Sequence, residues 1–155
     1  MEKPFDILNK NRILILRLIE PLSFEQLTTI PAGFNNHIVW NVAHLVVTQQ
    51  LLCYKLSGLN CLIDDHLIQA YRKGTAPSND PQLTPEKFET IKSLFQELPE
   101  QLEKDYHSNV FTSYHEYTTS ANVTLYNIEE AIQFNNYHEG LHLGSILALK
   151  RVVTL

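Results

Sequence analysis

The chain has 155 residues, 44% of them hydrophobic, which suits one compact domain over residues 1–155 with a single core. Its 12 basic and 17 acidic residues give a net charge of −5, excluding a nucleic-acid or anionic-membrane partner held by bulk electrostatics. The N-terminus, MEKPFDILNK, lacks the apolar core of a signal peptide, and no stretch approaches a membrane-spanning length free of polar residues, so a cytoplasmic location is expected.

In chain order, apolar residues crowd nearly every turn of 5–22 (Leu8, Ile13, Leu14, Ile15, Leu16, Leu18, Ile19), predicting a first helix that ends at Pro21. Ser23 with Gln26 forms a capping-box pattern for a short turn, before Pro31 and Gly33 break the backbone into a loop. A second long helix is expected to begin near Asn35 or Asn36 and to stop at Gly58. Cys53 and Cys61, near its end, read as two reduced thiols rather than a disulfide. Residues 62–71 suit one more short helix, followed by the polar connector GTAPSNDPQLTP.

Thr84 and Pro85 supply an N-cap and a first-turn proline for a third long helix. Phe88, Ile91, Phe95, Leu98 and Leu102 fall along one face of it, and Pro99 is expected to kink it. The stretch HSNVFTSYHEYTTSANVTLY has no helical periodicity and reads as an ordered loop with a short extended piece. Asn127 and Glu130 then cap a last long helix that runs almost to the C-terminus. Four long helices joined by ordered loops predict an all-α bundle whose cofactor site is built from side chains on facing helices.

The last helix carries His138 and His142, one turn apart and able to grip one ion. Its inward stripe is expected to run through Ala131, Phe134, His138, Leu141, Ser145 and Leu149, with His142 beside it. A single histidine there would read as a hydrogen-bonded core residue; two at this step, with several polar nitrogens to satisfy, favour a shared partner. The same residues, HEGLH, match the HExxH pattern of zinc proteases. That reading fails because 143–155 hold no His, Asp, Glu or Cys to supply a third ligand, and no sheet edge is evident to hold a peptide.

The third ligand must come from upstream, and His44, inside the apolar run WNVAHLVV, is the candidate. His37, Trp40 and Thr48 fall on the same side of that helix, and Trp40 is positioned to pack against the His44 ring. His37, at the helix start, is expected to be exposed or to sit behind the ligands rather than bind. Asn41, Asn135, Asn136, Tyr137 and Thr48 are polar neighbours that suit either a supporting role or an ordinary surface. Three neutral imidazoles leave positions open on a divalent metal, as in catalytic sites. Nickel and zinc are the foremost candidates, with iron and manganese also compatible.

The segments NNHIVWNVAHLVVTQQLL and FNNYHEGLHLGSILALKR, in this order and near this separation, resemble the DinB-like family of bacterial four-helix proteins, the DinB/YfiT-like metalloenzymes. The weaker matches YRKGT and YTTSANVTLYNIEEAI extend the similarity over most of the chain. The resemblance implies an up-down-down-up bundle, a metal held by His44, His138 and His142, and a homodimer. It further implies a metal-dependent enzyme acting on a small-molecule substrate, and the leading expectation is a transferase that uses a low-molecular-weight thiol as cosubstrate. The alternatives are a hydrolase that uses a metal-bound water and a non-catalytic, stress-related metal-binding protein. Glu139 enters as a candidate catalytic base, weighed against an ordinary solvated helix residue.

Overall fold

The computed structural model describes residues 1–155 and is mostly helical, with one two-stranded pair. Helix α1 spans Glu2–Ile19, and the short α2, Phe24–Thr28, opens on the expected capping box between Ser23 and Gln26. Helix α3 covers Ile38–Gln49 and runs on through a π-turn, Gln50–Tyr54, and a 3-10 turn, Lys55–Ser57. It stops at Gly58, whose φ of +74° suits a residue without a Cβ. Helix α4 is Asp65–Tyr71, capped by Asp64, and α5 is Pro85–His107, capped by Thr84 with proline in its first turn. The loop beyond it carries one antiparallel pair, β1 Tyr117–Thr118 with β2 Thr124–Leu125. Asn127 caps α6, Ile128–Val153, by accepting from Glu130 N–H.

The cap of α3 differs from the sequence expectation. His37, not Asn35 or Asn36, takes that position, its Nδ1 accepting from Trp40 N–H at 3.0 Å. Asn36 spends its Oδ1 on the Asn41 side chain instead. His37 is therefore buried rather than exposed.

Helix α1 packs on α5 and α6, and α3 packs on the same two. The core falls into two clusters. One joins Ile15, Ile19, most of α3, Phe88, Ile91, Phe95, Leu98, Ile146 and Leu149; the other gathers Phe5, Leu8, Leu52, Cys53, Leu102, Leu125, Ile128, Ala131 and Ile132. Along the long helices, the positions between these clusters hold buried polar groups: Arg12 on α1, Gln49 and Gln50 at the end of α3, Asn135 and Glu139 on α6. Apolar packing thus supplies both ends of the molecule, while a polar layer crosses its middle.

The inward face of α6 is rotated from the expected stripe. Ala131 and Leu149 of that stripe are buried, joined by Ile128, Ile132, Asn135, Glu139 and Ile146, whereas Leu141 is 53% exposed and Ser145 also faces outward. Glu139 is not a solvated helix residue. Arg12 donates to its Oε1 from Nε at 3.0 Å and Nη2 at 2.8 Å, and Asn11 donates to Oε2 at 3.2 Å. Arg12 also donates from Nη1 to the Phe95 carbonyl at 2.9 Å. That carbonyl lies four residues before Pro99, which has no N–H to offer it, so the guanidinium supplies the bond the proline removes from α5.

Candidate metal centre

Helix α3 carries His44 and α6 carries His138 and His142, and the structure brings one ligand nitrogen of each within 4.8 Å of the others. His44 Nε2 and His138 Nε2 are 3.3 Å apart. Two nitrogens each about 2.0–2.1 Å from one tetrahedral ion would be separated by about that distance. Two imidazole lone pairs at such a spacing repel each other unless a cation or proton lies between them, so the donor set fits a divalent metal.

Two of the rings are held in the tautomer that ligation requires. His44 Nδ1–H donates to the Tyr71 carbonyl at 2.7 Å, an atom that can only accept. His142 Nδ1–H donates to Asn41 Oδ1, also at 2.7 Å. The orientation of that amide is fixed in turn, since Asn41 Nδ2 donates to Asn36 Oδ1 and to the His37 carbonyl. Both rings therefore carry their lone pair on Nε2, the arrangement found in metal-bound histidines. His138 differs: its Nδ1 is buried with no partner.

Trp40 stacks on His44 as its position suggests, with ring centroids 4.6 Å apart and planes 11° from parallel. The indole is anchored by its N–H donating to Thr75 Oγ1. Thr48, one turn beyond His44, brings its hydroxyl to 3.3 Å from His44 Nε2 and borders the site. Asn41 is the polar neighbour whose supporting role is visible. The Tyr71 carbonyl left no trace in the sequence, because a backbone acceptor exists at every residue. His37 caps α3 and stays outside the cluster, as does the Glu139 carboxylate. Cys53 and Cys61 are free thiols, and burial pushes the Cys53 thiol up to about 12, far from a reactive thiolate.

Burial holds His138 down at about 3, with His142 and His44 adding repulsion, and holds His142 at about 4; His44 is lowered for the same first reason. These rings are neutral at pH 7 and ready to bind a cation. The same shifts set an acid limit on the metal-free fold. Above about pH 6.5 neither the folded nor the unfolded chain protonates them, and they leave stability unchanged. Between about 6.5 and 4 the unfolded chain takes up protons that the folded one refuses, so stability falls as pH falls. Urea midpoints of metal-free protein are expected to drop across this window and to rise when zinc is added at pH 7. A midpoint independent of pH from 7 to 4 would contradict the buried neutral cluster.

The sequence model described as the DinB superfamily matches residues 7–146, a span that includes all three histidines. No curated protein matches the chain.

Proposed function

The chain belongs to the DinB superfamily, and from that premise we propose that it is a metal-dependent enzyme that transfers a low-molecular-weight thiol to an electrophilic small molecule. The observation that carries this reading is the convergence of three neutral imidazoles from two helices, two of them fixed with Nε2 toward a common point. Such a set contributes no negative charge. A divalent ion held there would lower the pKa of an incoming thiol, making a competent nucleophile available at neutral pH.

The protein's own residues support access as well as binding. His138 and His142 are only partly buried, and Tyr137 and Leu141 stand half exposed on the neighbouring surface of α6, so a small substrate can approach from that side. The Trp40 stack and the Tyr71 carbonyl keep His44 rigid on the opposite wall. Hydrolysis is the weaker reading on one specific ground: the acid next to His138 has both oxygens engaged by Arg12 and Asn11 and is poorly disposed to take a proton from water.

We also read the four long helices as an up-down-down-up bundle within one domain over residues 1–155. The support is the pairing of their ends. Asn136 reaches the Pro4 carbonyl and Gln26 reaches that of Val153, so α1 runs along α6. Asn41 meets His142 and His44 meets His138, the opposite sense, whereas Gln49 meets Leu98 and Tyr54 meets Asp105, so α3 runs along α5.

The test is turnover of a soft electrophile such as a nitroaryl halide. A sulfur–carbon bond forms, the halide departs with its electron pair, and the thiol proton passes to the buffer. Product is expected only with both metal and thiol present, with a rate that declines as pH drops below the lowered thiol pKa. Metal-dependent ester cleavage without any thiol would instead favour hydrolysis.

A further inference from the structure

Asn135 is completely buried on α6, and neither its Oδ1 nor its Nδ2 has a hydrogen-bond partner. The other buried residues of that face are the apolar Ile128, Ala131, Ile132, Ile146 and Leu149 and one charged group, Glu139, whose carboxylate, unlike the Asn135 amide, is fully partnered by Arg12 and Asn11. A buried amide with both ends unspent is costly, and a leucine would fit the same pattern without that cost. The position therefore calls for an explanation beyond packing.

The neighbouring turn supplies one. Asn135 and His138 are three residues apart on one helix, a spacing that makes them neighbours on its surface. Helical side chains lean toward the N-terminus, so the His138 ring overhangs the turn that bears Asn135. His138 Nε2 faces His44, which leaves Nδ1 on the far side of the ring, and that Nδ1 is the one imidazole nitrogen of the cluster that is buried without a partner. Two unspent polar groups thus lie one turn apart behind a ligand. When Nε2 binds a cation, the ring's proton must reside on Nδ1, and a buried N–H needs an acceptor.

We infer that Asn135 orients His138 for metal binding, its Oδ1 accepting from Nδ1–H directly or through one bridging water. The arrangement parallels that of Asn41, whose Oδ1 accepts from His142 Nδ1–H. It gives each of the three ligands an oxygen acceptor behind it: a backbone carbonyl for His44 and a carboxamide for each of the other two. Asn135 is a positioning residue in this account and does not touch the ion.

This inference rests on reading the three histidines as metal ligands, and the experiment separates the two claims. Zinc is titrated into metal-free wild type, Asn135→Leu and Asn135→Asp against a competing chelator dye, with thermal midpoints of the metal-free forms measured alongside. Asn135→Leu is expected to bind zinc about 10–100-fold more weakly while its metal-free midpoint stays level or rises. Asn135→Asp keeps an acceptor and is expected to retain wild-type affinity or exceed it. A purely structural amide would leave affinity unmoved in both. Wild-type affinity in a folded Asn135→Leu therefore overturns the role of Asn135 alone, whereas a wild type that takes up no zinc overturns the metal reading itself. Should the leucine variant fail to fold, Asn135→Ala removes the same acceptor and is held to the same affinity loss. Nitrogen NMR of the zinc-loaded wild type gives a second readout: the His138 Nδ1–H resonance is expected to shift on Asn135→Asp, and an unchanged resonance counts against the contact.

Discussion

His142→Ala is expected to take metal content from about one ion per chain to nearly none, while helical circular dichroism and cooperative unfolding persist. Removing this ring leaves two imidazoles, one on each helix, which hold a divalent ion far more weakly than three. The fold survives because two clusters of buried apolar side chains, of 20 and 10 residues, hold the helices together without the metal. A zinc finger behaves oppositely, since its metal supplies the folding energy that a small core lacks. The variant does strand Asn41 Oδ1, which loses its imidazole donor, at a cost of about 1 kcal/mol. That is small beside the total stability of a domain. Elemental analysis of protein purified without a histidine tag decides the matter, and wild-type metal content in His142→Ala would remove the ligand assignment.

Much of the helical framework was legible because its signals are local. The Ser23, Thr84 and Asn127 caps lie within a few residues of the groups they satisfy, and the stripe from Phe88 to Leu102 is buried along its length. The three-histidine cluster was legible for a related reason: His138 and His142 are separated by one turn, and His44 interrupts an apolar run where a hydrophobic residue belongs. Partnerships across long sequence separations were not legible. Asn135 and Glu139 look like surface residues by hydropathy, yet they are among the most buried on α6. What permits this for Glu139 is Arg12, 127 residues earlier, and nothing near Glu139 advertises it. The same blindness rotated the expected inward face toward Leu141 and Ser145. The π-turn at Gln50–Tyr54 had no marker either, because its i to i+5 bonding uses backbone groups common to every residue.

The Arg12–Glu139 pair carries the largest expected change in stability. Arg12 is 1% exposed and so is Glu139, so removing the carboxylate leaves a guanidinium charge in the interior without its counter-ion. Glu139→Ala is expected to destabilise the fold by about 3–5 kcal/mol. Arg12→Ala should cost a similar amount, because it also strands the Phe95 carbonyl that Pro99 leaves without a helical donor and removes the guanidinium stacked 4.5 Å above the Phe95 ring. Replacing both residues by leucine should recover much of the loss, since an apolar pair has no charge to desolvate. Urea unfolding of the two singles and the double measures the coupling, and a single-variant loss under about 1 kcal/mol would mean that the interior solvates these charges better than their burial implies. The result governs how Glu139 is tested in catalysis. Glu139→Gln keeps an oxygen for Arg12 but not the charge, so its activity has meaning only per folded molecule. If that normalised activity disappears while stability holds and no thiol is needed, Glu139 acts as a base and hydrolysis becomes the better account of the site. If activity follows stability, the carboxylate is a structural partner of Arg12 and the chemistry belongs to the face formed by His44, His138 and His142.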